Sequence, residues 1–437
     1  MKAIRLFTHI ILTGICLLSL LIIYANFDTE VGSLGNQSIL YYLISGFTLV
    51  TLIGLFWLPD GIKTNVALLL ISMICSVYLA ELFFFLRRTN PNLSAHALAA
   101  RQLNIPFDTR SKLEVIEDYN EEGIEALPAI NPFKVDGLFP LGGVSNTLTV
   151  ACNEMGEYLI YESDEHGFHN PKGLYNTGDV SIMAVGDSFT HGSCVKSEEN
   201  AISLIREVYP HTINLGRSGS GPLRLLGTLR EYAKPLEPDI VLWIYTEAND
   251  LSDLNREKKD SRLVNYIEAN YSQDLLSIQP DIDNKLKILF ETEKEKALTR
   301  ENEYSTPFLK YISIGHLREK MMSILIPQLI DFDLELFRNV LMVAQQDVSE
   351  WGGTLYFVYL PSSARAYNPN SNHSYRQQVL QIVADLNITL IDVQQEMIAH
   401  PEPLTLFPFQ RGHYNAEGYK LFGDTVLDFL EENYPPQ

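Results

Sequence analysis

Long apolar runs separated by short polar loops fill the first ninety residues. The runs 6–25, 39–58 and 66–86 are each about 20 residues long, enough to cross a hydrocarbon core of about 30 Å. A cleaved signal peptide would account for the first run alone, and its apolar stretch would be shorter. The pattern therefore predicts three transmembrane helices in a membrane region comprising residues 1–89.

The charges that flank these runs predict their orientation. Lys2 and Arg5 precede the first run and Lys63 lies in the second loop. The positive-inside rule then places the N-terminus in the cytoplasm, and three crossings place the large following domain outside. Arg87 and Arg88 fall on the outer side, which opposes this orientation.

From residue 180 the pattern changes to short apolar runs that alternate with amphipathic stretches. Predicted strands cover 180–185, 212–215, 239–245, 354–360 and 388–393. Predicted helices cover 198–209, capped by Ser197, then 222–234 and 374–386, with a last helix that begins near Gly418. Strands that alternate with helices predict a parallel α/β sheet.

Two further stretches lack this regular alternation. Residues 90–178 mix short apolar runs with Pro and Gly, which indicates a linker followed by a loop-rich or short-strand elaboration. Residues 251–350 are charged and helical without a good strand candidate, so they are predicted to be a helical insertion or lid. The main domain is then predicted to comprise residues 179–437.

The negative net charge of this domain argues against a nucleic-acid partner. The chain has 437 residues and a net charge of −21, and the whole acidic excess lies after residue 89. Such a domain lacks the basic surface that nucleic-acid binding requires. We therefore expect no nucleic-acid partner, and the lipid bilayer as a partner of residues 1–89.

The four cysteines divide between the two regions. Cys16 and Cys75 lie within the predicted membrane spans, and Cys152 and Cys194 are the two in the acidic domain. An even pair in an exported domain predicts a disulfide. That bond would join the sequence ACNEMG to the loop after the strand at 180–185.

Polar residues follow several of the predicted strands, at the edge where parallel sheets bind ligands. Ser188 in GDSF follows the first strand, and Gly219 in NLGRSGSGP follows the second. Asn249 in YTEAND follows the third, and His413 lies in RGHYNAEGY before the last helix. Acyl transfer through a serine ester needs a hydroxyl nucleophile, an imidazole base and hydrogen-bond donors for an oxyanion, which these residues supply.

The ordered motifs GDSF, N-x-G-x-x-G, x-x-ND and GHYN-x-x-G-Y resemble those of the SGNH/GDSL hydrolase superfamily over about residues 180–430. The resemblance implies a flavodoxin-like three-layer α/β/α core. It makes Ser188 the nucleophile and His413 its general base, with an oxyanion hole formed by Ser188 N–H, Gly219 N–H and Asn249 Nδ2. YESDEHGFHNP at 161–171 resembles, more loosely, a segment of membrane-linked members that act on bacterial surface polysaccharides.

Two positions depart from the superfamily pattern. The last motif normally carries Asp three residues before the histidine, where this chain has Gln410, and Glu247 replaces the glycine of G-x-N-D. Asp392 is a candidate replacement for the missing acid, and a backbone carbonyl could instead accept the Nδ1–H of His413.

Three further histidines and a glycine-rich segment are predicted to have no catalytic, metal-binding or cofactor-binding role. His191 lies three residues after Ser188 and is predicted to be a rim residue. His166 and His169 lack the further ligands that a metal site needs, so no metal is predicted. The glycine-rich segment 214–222 lacks the spacing of a P-loop or a dinucleotide site, and no cofactor is predicted.

The leading hypothesis is a serine esterase or acyltransferase anchored by several helices in a bacterial cytoplasmic membrane, with its catalytic domain outside. Its substrate would be an ester-bearing glycan, with acetyl as the simplest acyl group, or another small acyl ester. One alternative is a non-catalytic polysaccharide-binding or assembly protein with a degenerate site. Another is a lipid esterase whose lid is formed by residues 251–350.

Overall fold

A computed structural model describes residues 59–87, 94–129, 137–176, 180–301, 331–367 and 374–435, together with a few isolated positions. The chain divides into two compact units. One comprises residues 1–92 and 295–330, and the other comprises residues 93–294 and 331–437. The middle of the predicted insertion at 251–350 thus groups with the N-terminal residues.

In the described part of the first unit, helix α1 (Asp60–Arg87) is long and apolar enough to cross a membrane over Asp60–Phe84. It contains the predicted span 66–86, whereas the predicted spans 6–25 and 39–58 lie outside the described residues except for isolated positions. Its exposed apolar side chains include Leu68, Leu69, Met73 and Leu79. Glu81 is buried and accepts a hydrogen bond from the Leu317 backbone N–H at 2.7 Å.

The second unit contains two sheets. Its strands are β1 (Ala126–Pro128), β2 (Leu148–Val150), β3 (Ile160–Glu162), β4 (Ile182–Val185), β5 (Thr212–Asn214), β6 (Ile240–Thr246), β7 (Thr354–Leu360) and β8 (Thr389–Asp392). The larger sheet has the order β5-β4-β6-β7-β8, and every neighbouring pair is parallel. The prediction of a parallel α/β fold is confirmed, and this strand order is the flavodoxin-like one.

Helices connect these strands and cover the sheet. They are α2 (Ala95–Gln102), α3 (Lys112–Glu121), α4 (Ser188–His191), α5 (Ala201–Val208), α6 (Pro222–Thr228), α7 (Asp250–Glu257), α8 (Ser261–Val264), α9 (Gln279–Glu301), α10 (Leu334–Glu350), α11 (Ser363–Tyr367), α12 (Ser374–Asp385), α13 (Val393–Ala399) and α14 (Ala416–Asn433). Parallel strands need crossover connections, and these helices supply them between the strands of the larger sheet.

Alternating side chains of the larger sheet enter two separate apolar cores. Met183, Val185 and Trp243 pack on one face, with residues of α6 and α10. Ile182 and Ala184 pack on the other face, with residues of α5 and α14. Strands buried on both faces explain why their sequences are continuous apolar runs. The second unit thus has three layers, and α10, which lies within the predicted insertion, forms part of one of them.

The predicted start of α5 needs correction. Ser197 does not cap α5, because the Asn200 side chain accepts the Ser203 N–H at 2.9 Å and α5 begins at Ala201. Ser197 instead lies in a short 3₁₀ turn, where its hydroxyl bonds the His169 ring at 2.8 Å. Both side chains are good cap formers, so the sequence alone does not select between them.

The smaller sheet lies in the predicted elaboration at 90–178. β1 and β2 pair in parallel, and β2 and β3 form an antiparallel hairpin. The hairpin loop contains the ACNEMG sequence, and it lies within the same compact unit as the larger sheet.

Candidate active site

The nucleophile candidate lies in a tight turn between β4 and α4. Asp187 caps α4, and its Oδ1 accepts the Phe189 N–H and the Thr246 hydroxyl, each at 2.9 Å. A Cβ at Gly186 would lie 1.9 Å from the Thr190 hydroxyl oxygen, so the turn requires glycine there. Ser188 is the first residue of α4 and is 8% exposed, at the carboxyl edge of the sheet.

The structure brings His413 to this serine. His413 lies just before α14, and its Nε2 is 2.8 Å from Ser188 Oγ. The Phe189 ring packs beside the imidazole, with the ring centroids 5.0 Å apart. The serine hydroxyl can therefore donate to the imidazole, which is the geometry that a general base requires.

The acid that completes this arrangement is Glu154, which the sequence analysis missed. His413 Nδ1 lies 2.9 Å from Glu154 Oε1, and the His413 backbone N–H donates to Glu154 Oε2 at 2.9 Å. Because Nδ1–H donates to the carboxylate, Nε2 is left to accept the serine proton. Glu154 lies in the β2–β3 loop, in a region predicted to be an elaboration, and its nearness to Cys152 was the one available signal.

His413 and Glu154 each favour the ionised form of the other. Burial alone would lower the pKa of His413, but the hydrogen bond and negative charge of Glu154 outweigh it and raise this pKa above its usual value. Burial likewise opposes ionisation of Glu154, but His413 outweighs it and the pKa of the carboxyl is lowered. An ionised carboxylate is the form that stabilises an imidazolium during proton transfer.

Asp392 does not serve as the replacement acid. It caps α13 and lies 2.5 Å from the Arg376 guanidinium. Gln410 lies in the 3₁₀ turn Pro408–Gln410, where its backbone N–H donates to the Phe407 carbonyl at 3.0 Å. His413 Nδ1 is engaged by Glu154, so neither Asp392 nor a backbone carbonyl is its acceptor.

The predicted oxyanion donors follow the two strands that flank β4. Gly219, with a φ of 77°, lies in the loop after β5. Asn249 follows β6, and its Nδ2 donates to Asp253 Oδ2 at 2.8 Å. Burial raises the pKa of Asp187, and the Asn249 side chain is among the nearby groups that oppose this shift. The amide of Asn249 thus lies beside the residue that precedes Ser188.

Glu247, at the position of the superfamily glycine, has a structural partner. Its carboxylate lies 2.6 Å from the Arg365 guanidinium and accepts the Ser362 N–H at 3.2 Å. Burial opposes its ionisation, but Arg365 outweighs this effect and lowers the pKa of Glu247. The residue joins the loop after β6 to the segment after β7.

A disulfide joins Cys152 to Cys194, with the two Cα atoms 5.1 Å apart. It links the loop that carries Glu154 to the segment after α4. Ligand atoms of Glu154, Cys194 and His413 lie within 4.8 Å of one another. The sulfur of Cys194 is bonded to Cys152 and both imidazole nitrogens face protein groups, so this arrangement favours proton transfer over metal binding.

His169 and His191 form a separate buried group, and the prediction of His191 as a rim residue is wrong. His191 is 4% exposed, and its Nε2 lies 3.0 Å from the Tyr161 hydroxyl. His169 Nδ1 lies 3.0 Å from the His191 carbonyl oxygen. Burial lowers the pKa of His191 well below its usual value and that of His169 to about 4.

Comparisons with known proteins give structural likenesses only. No family model matches the chain, and no curated protein matches it. A lipase/acylhydrolase from Enterococcus faecalis is 14% identical, with a TM-score of 0.34 over 59% of this chain and 98% of that one. The acetylxylan esterase Axe2 from Geobacillus stearothermophilus is 14% identical, with a TM-score of 0.32 over 57% of this chain and 92% of that one. Identity and TM-score are both too low for these likenesses to indicate a function.

Proposed function

We propose that this protein is a membrane-anchored serine esterase or acyltransferase of SGNH type. The observation that carries the proposal is the continuous hydrogen-bonded series from Ser188 Oγ through His413 to Glu154. Such a series activates a hydroxyl whose own pKa is far too high for it to ionise at neutral pH.

In the proposed reaction, Ser188 Oγ attacks the ester carbonyl while His413 Nε2 takes the hydroxyl proton. Glu154 stabilises the imidazolium that forms. The carbonyl oxygen becomes an oxyanion that accepts from Ser188 N–H, Gly219 N–H and Asn249 Nδ2. The tetrahedral intermediate collapses, and His413 returns the proton to the departing alkoxide. Water, or an acceptor hydroxyl in a transferase, then attacks the acyl-serine with the same base.

The proposed substrate is an acyl ester on a glycan outside the cytoplasm. Cys152 and Cys194 are bonded to each other, which suits an oxidising compartment. A cavity of about 1410 Å³ adjoins this disulfide and is lined largely by acidic and other polar residues, including Asp118, Glu157 and Glu198, whereas Ser188 and His413 do not line it. Carboxylates can accept hydrogen bonds from sugar hydroxyls, whereas they disfavour the long acyl chain of a lipid.

The main support for the alternative, a non-catalytic binding protein, is that Gln410 stands where the superfamily motif has Asp. Glu154 occupies the position at Nδ1 that the missing Asp would have filled. A buried serine paired with an imidazole and a carboxylate is a costly arrangement for a site that only binds. We therefore favour the enzyme.

Labelling of the full-length protein by a fluorophosphonate tests the activated serine. We expect labelling of the wild-type protein and its loss in Ser188→Ala and His413→Ala. Matched controls are Ser349→Ala, which removes an exposed hydroxyl of α10, and His211→Ala, which removes an exposed imidazole. Both controls should label normally. Folded wild-type protein that does not label would contradict the proposal.

Substrate class is tested separately, by release of acetate from acetylated oligosaccharides and from soluble aryl acetates. We expect the acetylated oligosaccharides to have the higher kcat/KM. A preference for long-chain acyl esters would instead favour the lipid esterase.

A further inference from the structure

Glu154 lies beyond the regular part of the β2–β3 hairpin. The strands pair Leu148 with Glu162 and Val150 with Ile160. The backbone ladder continues through the bond from Leu159 N–H to the Cys152 carbonyl at 2.8 Å. Glu154 follows two residues later, in the bend at 154–157.

Hydrogen bonds around this bend connect it chiefly to the segment 106–110. The Asn153 amide donates to the Asp108 carbonyl at 3.0 Å and accepts the Gly156 N–H at 2.8 Å. The Asp108 N–H donates to the Gly156 carbonyl at 2.7 Å. These bonds shape the bend, but they do not join it to the part of the chain that carries Ser188.

Tyr161 of β3 lies 3.0 Å from His191 of α4, but among the described residues two links connect the bend itself and its neighbours to that part of the chain and to His413. One is the bidentate contact of Glu154 with His413, in which each carboxylate oxygen accepts one N–H. The other is the Cys152–Cys194 disulfide. Cys152 precedes the acid by two residues, and Cys194 follows the nucleophile by six. The covalent link therefore lies next to both partners whose distance matters for proton transfer.

We propose that Cys152 and Cys194 are positioning residues of the reaction, because their disulfide holds Glu154 against His413. The inference rests on the proposed function for its catalytic consequence. Reduction leaves the serine and the imidazole in place but releases the bend that carries the acid. The oxidised protein is then the active form, and the reduced protein is a weakly active one.

A dithiol reductant supplies a balanced route to the reduced form. One reagent thiolate attacks a protein sulfur, breaks the protein S–S bond and releases the other protein sulfur as a thiolate. The second reagent thiolate then attacks the mixed disulfide and releases the remaining protein thiolate. The products are two protein thiols and one cyclic reagent disulfide. Cys194 lines the cavity of about 1410 Å³ together with Lys196 and Ser197, so the reagent has a path to the bond.

The first test compares kcat and KM of the full-length enzyme, on a soluble acetate ester, before and after reduction. We expect kcat to fall at least tenfold on reduction or in Cys152→Ser, with KM changed less than threefold. Cys75→Ser, which removes an exposed thiol of α1, should leave both the activity and the response to reduction unchanged. Full activity of the reduced enzyme would overturn the proposal.

A second test separates positioning of Glu154 from general loosening of the fold. In Glu154→Gln the acid is already lost, so reduction should lower kcat by less than twofold. A disulfide that acts elsewhere would cost the same factor in both backgrounds. Equal losses in wild type and Glu154→Gln would therefore overturn the proposal, even if Cys152→Ser alone folds poorly.

A third readout does not need esterase activity. Because Glu154 raises the pKa of His413, its displacement should lower that pKa. Hydrogen–deuterium exchange at the imidazole C2 position, followed by mass spectrometry over a pH series, measures this value in oxidised and reduced protein. An unchanged pKa would overturn the positioning role. A lowered pKa in a protein without esterase activity would retain it and refute the proposed function instead.

Discussion

Glu154 and His413 meet through two hydrogen bonds, one to the imidazole and one to the backbone of the same residue. The backbone bond fixes the carboxylate relative to the main chain, and the side-chain bond fixes the tautomer. This pairing holds the imidazole in a single orientation toward Ser188, whose Oγ lies 2.8 Å from Nε2. A carboxylate from a different segment of the chain thus lies where the proposed reaction needs an acid.

Replacement of the Glu154 carboxylate should lower kcat strongly. We expect Glu154→Gln to lower kcat by about 10² to 10⁴, since the amide form of a triad acid lowers turnover by about 10⁴ in a serine protease. Glu162→Gln, eight residues away and exposed, is the matched control and should retain activity within twofold. Steady-state kinetics on a soluble acetate ester provide the measurement. A Glu154→Gln enzyme with wild-type kcat would remove Glu154 from the mechanism.

The pH profile follows from the same pair. Protonated His413 cannot accept the serine proton, so kcat/KM falls as the pH drops below the pKa of His413. Glu154 raises this pKa, so the acid limb should lie above the usual histidine value of about 6.5. In Glu154→Gln the lowering effect of burial is opposed only by the charge of Asp187, and the limb should move to lower pH. A limb at the same pH in both enzymes would contradict this assignment.

At the scale of elements, the turn before His413 has to leave room for the carboxylate of Glu154. Gly412 has a φ of +80°, and a Cβ there would lie 2.3 Å from Glu154 Oε2 and 2.8 Å from His96 Nε2. Alanine would therefore push the carboxylate away from the imidazole. The glycine is needed both for its backbone conformation and for this close approach.

A comparison of Gly412→Ala with Gly123→Ala separates the effect of backbone strain from the effect of the close approach to Glu154. Gly123 has a similar φ of +82°, but a Cβ added there would have no atom within 4 Å. Each variant should lose about 1–2 kcal/mol of stability from backbone strain. We expect Gly412→Ala alone to lose kcat, by about tenfold to a hundredfold, as measured beside thermal unfolding of both proteins. Equal kcat in the two variants would show that Glu154 adapts to the added methyl group.

The elements also show which features local sequence predicts. Apolar runs predict all five strands of the larger sheet to within two residues at either end, because burial on both faces demands them. The positions of Ser188 and His413 follow from motifs at the ends of elements. Glu154 comes from 259 residues before His413, and no periodicity encodes a contact between a hairpin bend and a distant turn. The cysteine pair alone pointed to that neighbourhood.

At the scale of the whole molecule, the proposed membrane anchor makes the location of the second unit depend on the number of spans. An odd number of crossings from a cytoplasmic N-terminus places it outside. Helix α1 exposes Leu69 by 60%, and α2 is followed by Leu103, which is exposed by 62% in the other unit. The two leucines are similarly exposed, but only Leu69 lies in a helix that is apolar enough to cross a membrane.

Leu69→Lys should therefore change the topology, whereas Leu103→Lys should not. A lysine near the centre of a span costs about 2.5–3.5 kcal/mol on insertion scales. Some chains would then fail to insert α1 and would leave the second unit in the cytoplasm. Protease added to spheroplasts measures the accessible fraction, which should fall only for Leu69→Lys. The protected chains should also lack the Cys152–Cys194 bond, since the cytoplasm keeps thiols reduced. A second unit protected in the wild-type protein would contradict the proposed location.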